Sequence, residues 1–200
     1  INYRGKRLTK FEVLKNRLMY LCELIRQADP SQDKRSHELR RLIETEWGIA
    51  FDWLGYGGNP LDEDDFLHQH TIMYFGSLKK EKDALDNLLF KEIFSTDRLS
   101  SSDSKQIKLS EIEDYVKNIG RSSELWAFQN SRISKLSGTP VWANQEVVNW
   151  LIRLNRIGIG HFNPLILGAL NRMKDGKTKE SQETLVGLLN EIERFIFIMF

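Results

Sequence analysis

Apolar residues along this chain recur at three- and four-residue intervals and almost never alternate, so the pattern predicts helices throughout and essentially no sheet. Leu14, Leu18, Leu21 and Ile25 form the first stripe, in a helix from about Lys10 to Gln27 that Thr9 caps and Asp29-Pro30 ends. A second helix comes after Pro30, with Leu39, Leu42, Ile43, Trp47 and Phe51 at helical spacing, until Gly55-Tyr56-Gly57-Gly58-Asn59-Pro60 breaks it. Asp62 to Phe75 makes a third, acidic in its first turn and stopped by Gly76. Lys82 to Phe94 makes a fourth, with Leu85, Leu88, Leu89 and Ile93 inward. Ser95 to Lys108 is rich in Ser and Asp and reads as a solvated, mobile loop. Ser110 and Glu113 have the spacing of a capping box and launch a fifth helix through Tyr115, Val116, Ile119, Leu125, Trp126 and Phe128, which Gly138-Thr139-Pro140 ends. Asn144 caps Gln145 to Arg156, Pro164 opens a short helix to about Met173, and Thr178 to Phe200 closes the series.

The fold class expected is therefore all-α, an irregular bundle of about eight helices, with no repeat of fixed period to suggest a solenoid. It divides into a first helical subdomain over 1–95, a surface loop over 96–108 and a second helical subdomain over 109–200. The chain starts without Met and stops on Phe195-Ile196-Phe197-Ile198-Met199-Phe200 with no polar fraying, and so reads as part of a larger protein.

Two hundred residues, 40% hydrophobic and 28% charged, suffice for a sizeable core, and a net charge of +1 excludes a dedicated nucleic-acid coat while leaving room for a local patch. The single cysteine, Cys22, lies in an apolar helical run and fits a buried structural thiol in a reducing cytoplasm. No apolar run reaches the roughly 18 residues of a membrane span. His68 and His70 are two apart and point to different sides of a helix, so they do not chelate together; Asp62 to Asp65 serve the helix dipole; His161 comes after a Gly-Ile-Gly turn. No phosphate loop, nucleophile elbow or zinc-protease helix occurs, so no metal and no catalytic residue is assigned. The one stretch suited to an anion is the opening, where Asn2, Arg4, Gly5, Lys6 and Thr9 bring cations and free backbone N–H groups to a helix start.

Three stretches also carry a resemblance. Asn2-Tyr3-Arg4-Gly5-Lys6-Arg7-Leu8-Thr9-Lys10-Phe11-Glu12-Val13-Leu14-Lys15 resembles a segment of the GmrSD-type restriction endonucleases, whose N-terminal domain has a ParB/sulfiredoxin-like core. Asp64-Asp65-Phe66-Leu67-His68-Gln69-His70-Thr71-Ile72-Met73-Tyr74-Phe75 is similar to a helix of that family, with His68 where the family has Arg and Thr71 where it often has Trp. Leu151-Ile152-Arg153-Leu154-Asn155 with Phe162-Asn163-Pro164-Leu165 resembles a later run, in the same order. The resemblance implies the helical part of a larger α+β protein. The family's Asp-Gly-Gln-Gln-Arg motif, expected upstream, and its His-Asn-His nuclease module, expected downstream, do not occur in this sequence. It implies a scaffold that couples nucleotide hydrolysis to cleavage of modified foreign DNA, with nucleoside triphosphate and a divalent metal as cofactors of the intact protein and none held by this stretch alone. Asn2, Arg4, Gly5 and Lys6 are then nucleotide-binding, Thr9, Glu12 and Lys15 support them, and Asp65, His68 and His70 are candidate ligand contacts. The alternative is a non-catalytic interaction or DNA-positioning module that holds backbone phosphates through Arg40, Arg41, Arg153 and Arg156.

Overall fold

A computed structural model describes residues 8–55, 60–76, 78, 83–100, 105–130, 143–158, 160–176 and 179–199. These are helical almost throughout, with no strand among them, in the all-α class that the periodicity indicates. Its main elements are α1 Lys10–Ala28, α2 Asp33–Gly55, α3 Glu63–Phe75, α4 Ala84–Asp86 with its continuation Asn87–Ile93, α5 Leu109–Gln129, α6 Gln145–Ile157, α7 Asn163–Gly176 and α8 Lys179–Met199. No helix of the described residues is long and apolar enough to cross a membrane.

Local chemistry accounts for most boundaries. Thr9 caps α1 through a reciprocal capping box with Glu12, and Asn144 caps α6 by accepting from Val147 N–H at 2.9 Å. Gly76 and Gly158 end α3 and α6 at φ of 80° and 85°, a left-handed turn that a β-carbon would strain. The breaks expected at 56–59 and at 138–140 lie outside the described residues.

Two expected elements differ. The fourth helix holds only one α-turn before widening into a π-helix over Asn87–Ile93, in which Phe94 N–H bonds Leu89 C=O at 2.9 Å. Leu89 and Phe94 are both buried, yet five residues apart they would stand about 140° apart on an α-helix; i→i+5 bonding brings them to one side. The fifth helix starts before Ser110: Ile107 and Leu109 are buried, which pulls the start inward, and Glu111 accepts from Lys108 N–H at 3.2 Å. Glu113 instead faces Lys117 at 2.6 Å. Between these two elements Thr96–Leu99 forms a 3₁₀ turn, and the Arg98 guanidinium bonds Ile93 C=O and Lys105 C=O, each at 2.8 Å, and Glu111 at 2.9 Å.

α1 and α2 form an antiparallel hairpin: Phe11 stacks on Trp47 at 5.0 Å, Trp47 Nε1 donates to Phe11 C=O, and at the other end Ser36 Oγ donates to Cys22 C=O at 2.8 Å. Cys22 is fully buried, and burial pushes its thiol pKa up to about 12. α5 runs through the middle, packed on α2, α3 and α7. Gly120 permits the α2 contact, since a β-carbon there would lie 1.8 Å from Glu46 Oε2. α7 joins α3 on one side and α8 on the other, while α6 packs on α8. Residues from both sides of 96–108 enter one hydrophobic cluster that contains Trp47, Phe66, Trp126 and Leu151.

Candidate functional site

Asn2, Arg4, Gly5 and Lys6 lie outside the described residues; the described chain begins at Leu8, one residue before the α1 cap. From Thr9 onward the chain enters a junction between the first turns of α1 and α3. Thr9 Oγ1 accepts from Glu12 N–H at 3.2 Å and donates to Glu63 Oε2 at 2.7 Å, while Glu12 accepts from Thr9 N–H at 2.9 Å. Phe11 N–H is held by Asp64 Oδ1 at 3.1 Å, and Lys10 reaches Asp86 beside the π-helix at 2.9 Å. Two of the α1 amides that the sequence offered to an anion are thus already bonded, one to Asp64 and one to Thr9. Glu12, assigned as a supporting residue, works as half of the cap; Lys15 sits half-buried one turn further on.

Carboxylates of Glu12, Glu63 and Asp64 therefore surround the described edge of this site, and its one first-turn cation, Lys10, is paired with Asp86. That donor set does not fit a phosphate group. The charge for one would have to come from the residues ahead of Leu8. Nor do three metal-ligating side chains converge anywhere among the described residues.

The three ligand candidates on α3 part company. Asp65 is exposed and accepts from Gln69 at 3.1 Å; His68 is half-buried; His70 is wholly buried. His70 Nε2 meets Asn118 Oδ1 of α5 at 2.9 Å. Ser122 Oγ also donates to that oxygen, at 3.0 Å, and in turn accepts from Asn171 Nδ2 of α7 at 3.2 Å. Because Asn118 Oδ1 is the acceptor for both, the proton of His70 resides on Nε2, and Nδ1 faces the interior without a hydrogen-bond partner. Burial drives the imidazole pKa down to about 4, against the opposing effect of Asn118. Around it stand Phe66, Tyr74 and Tyr115, with ring centroids 5.8, 5.6 and 5.3 Å away. His70 is accordingly a packed member of the α3–α5–α7 core, enclosed where a solvent-borne ligand does not reach.

The basic candidates are separated as well. Arg40 pairs with Glu23 of α1 at 3.3 Å. Arg153 pairs with the buried carboxylate of Glu193 on α8 and lies over the Trp150 ring at 5.3 Å. Arg41 and Arg156 are exposed. Periodicity alone missed the polar chain through Asn118, Ser122 and Asn171, whose members lie on two helices at no motif spacing, and it missed Glu63 and Asp64 as clamps on α1. A sign of the latter was present: four consecutive acids at a helix start exceed what one helix dipole needs.

No protein-family model, no curated protein and no solved structure matches this chain.

Proposed function

We propose that this chain is the helical scaffold and transmission part of a modification-dependent DNA restriction protein that acts against phage in the cytoplasm. The whole protein would hydrolyse a nucleotide and cleave foreign DNA with modules outside these residues. One observation carries the proposal: the two stretches that bear the strongest resemblance, more than fifty residues apart in the chain, meet in a hydrogen-bonded junction, Thr9 to Glu63 and Phe11 to Asp64. From Thr9 onward the first stretch is thereby bonded to α3, and α3 packs on α5 and α7. Any rearrangement ahead of Leu8 then has a packed route into the centre of the bundle, which supports a transmission role.

In this reading Arg4 and Lys6 supply charge to the nucleotide phosphates, Asn2 a hydrogen bond, and Gly5 close backbone approach. The ion pairs that occupy Arg40 and Arg153 weigh against the DNA-positioning alternative. The test is made on the whole protein that contains this chain. Arg4→Ala with Lys6→Ala is expected to weaken nucleotide binding by about tenfold or more, the loss of one or two charge-assisted contacts. Glu63→Gln with Asp64→Asn, on the α3 side of the junction, is expected to leave nucleotide affinity intact and to lower nucleotide-dependent DNA cleavage. Unchanged binding and hydrolysis in the first variant would overturn the assignment.

A further inference from the structure

His70, Asn118, Ser122 and Asn171 form one unbroken hydrogen-bonded relay across three helices. His70 Nε2 of α3 lies 2.9 Å from Asn118 Oδ1 of α5, Ser122 Oγ of α5 lies 3.0 Å from the same oxygen, and Asn171 Nδ2 of α7 lies 3.2 Å from Ser122 Oγ. Asn118 and Ser122 are one turn apart and share a face of α5. Every member has a choice of role. An imidazole carries its proton on either nitrogen, an amide turned about its own axis exchanges C=O for NH2, and a hydroxyl donates or accepts. The same heavy-atom positions therefore admit two arrangements, in which every donor of one is an acceptor of the other.

Leu167 C=O decides between them. Asn171 Nδ2 also donates to this oxygen, at 3.2 Å, one turn back on α7. The Asn171 amide is thereby held with its NH2 toward Ser122, so Ser122 Oγ accepts there and gives its own proton to Asn118. Asn118 then presents Oδ1, and His70 carries its proton on Nε2. The α3 end agrees, because His70 Nδ1 has no partner and an N–H there would be buried without an acceptor. In the middle nothing opposes reversal: Asn118 Nδ2 has no partner among the described residues.

We propose that this relay is a two-state element that couples α7 to α3: the direction in which its hydrogen bonds run is set at Asn171 and read at His70. What travels along it is a change of partner. Whatever offers Ser122 an acceptor in place of the Asn171 donor turns the hydroxyl round, then the Asn118 amide, then the imidazole tautomer, with each link forcing the next. Its two ends lie on helices with other work. α3 holds α1 through Glu63 and Asp64 in its first turn, and α7 packs on α8, so the relay joins the helix of the candidate site to the α7–α8 pair. The coupling is a property of the fold and does not depend on the proposed role in restriction.

The test fixes an acceptor at one end and reads the tautomer at the other. Asn171→Asp gives Ser122 a carboxylate, which only accepts and bonds about twice as strongly as a neutral group. Long-range proton–nitrogen correlation spectra at neutral pH should show the His70 proton on Nε2 in the natural chain and on Nδ1 in the variant. Asn171→Asp with Ser122→Ala removes the middle link and should return the proton to Nε2. A proton that stays on Nε2 in Asn171→Asp overturns the proposal, and so does a shift that survives in the double variant, which would belong to the field of the new charge. A second measurement needs no variant. Side-chain amide hydrogen exchange in the natural chain should find Asn171 protected, with its donors on Leu167 C=O and Ser122 Oγ, and Asn118 open; the opposite order would overturn the assigned direction.

Discussion

Acidification from pH 7 to pH 4 puts a proton on His70 of the unfolded chain well before it does so in the folded one, because the folded pKa is about 4 and the ordinary value is 6.5. Between those limits the unfolded state binds more protons, so stability must fall as pH falls through the window. At 1.36 kcal/mol per pH unit over a span of about 2.5 units, His70 should remove about 3 kcal/mol by pH 4, the loss levelling off below it. The structure supplies the reason: protonation would create an Nδ1–H with no acceptor, inside a shell of Phe66, Tyr74 and Tyr115. Full burial leaves little solvent screening to reduce the effect. The assay is urea unfolding monitored by circular dichroism from pH 7 to pH 4, on the natural chain and on His70→Leu. The variant loses the Asn118 bond and should be about 1–3 kcal/mol less stable at pH 7, yet it lacks the titrating group. Carboxylate titration is common to both chains and cancels in the difference, which should shrink or reverse sign by about 3 kcal/mol toward pH 4. Parallel profiles would refute this account of His70, as would an imidazole proton resonance that titrates near 6.5.

Two named contacts give further expected outcomes. Thr9→Val removes the acceptor of Glu12 N–H and the donor to Glu63, and should cost about 1–2 kcal/mol in thermal unfolding, while Thr9→Ser stays near the natural stability; equal losses would sink the capping account. Gly120→Ala should destabilise by about 1–2 kcal/mol, because the new methyl displaces the Glu46 carboxylate and meets its β-carbon at 3.3 Å, more than offsetting the helix propensity gained. In a Glu46→Ala background the same substitution should be markedly less costly, and an identical loss in both backgrounds would show that the carboxylate is not the obstacle.

Helix caps were legible because they are settled within four residues: Thr9 with Glu12, Asn144 with Val147, and the glycines at 76 and 158 need no knowledge of distant chain. The buried stripe of α1 was legible for the same reason. What escaped was decided by partners far along the sequence. Arg40 and Arg153 read as cations offered to solvent until the fold delivers Glu23 and Glu193, seventeen and forty residues away. His70 reads as a candidate ligand contact, and nothing in its neighbourhood along the chain announces that α5 brings Asn118 across to it. The α5 start was misplaced because Ser110 and Glu113 satisfy the local rule, while burial of Ile107 and Leu109, a tertiary effect, moves the boundary upstream. Around the candidate site, the acidic run on α3 was assigned to its own dipole, although Glu63 and Asp64 spend their oxygens on α1.

The π-helix over Asn87–Ile93 bears on how this chain tolerates changes of length. A π-turn holds one residue more than the α-turn it replaces, so removal of any one residue between 87 and 93 lets the segment close as ordinary α-helix without breaking it. A deletion between 90 and 92 would then preserve the bearing of the chain that follows. Leu89 and Phe94 would stand four residues apart, about 40° on an α-helix, so Phe94 keeps its side against Tyr115, whose ring centroid lies 4.9 Å away, and Arg98 keeps its reach to Ile93 C=O and Glu111. The segment thus holds one spare residue, and the loss of one there is absorbed before it reaches the second half of the bundle.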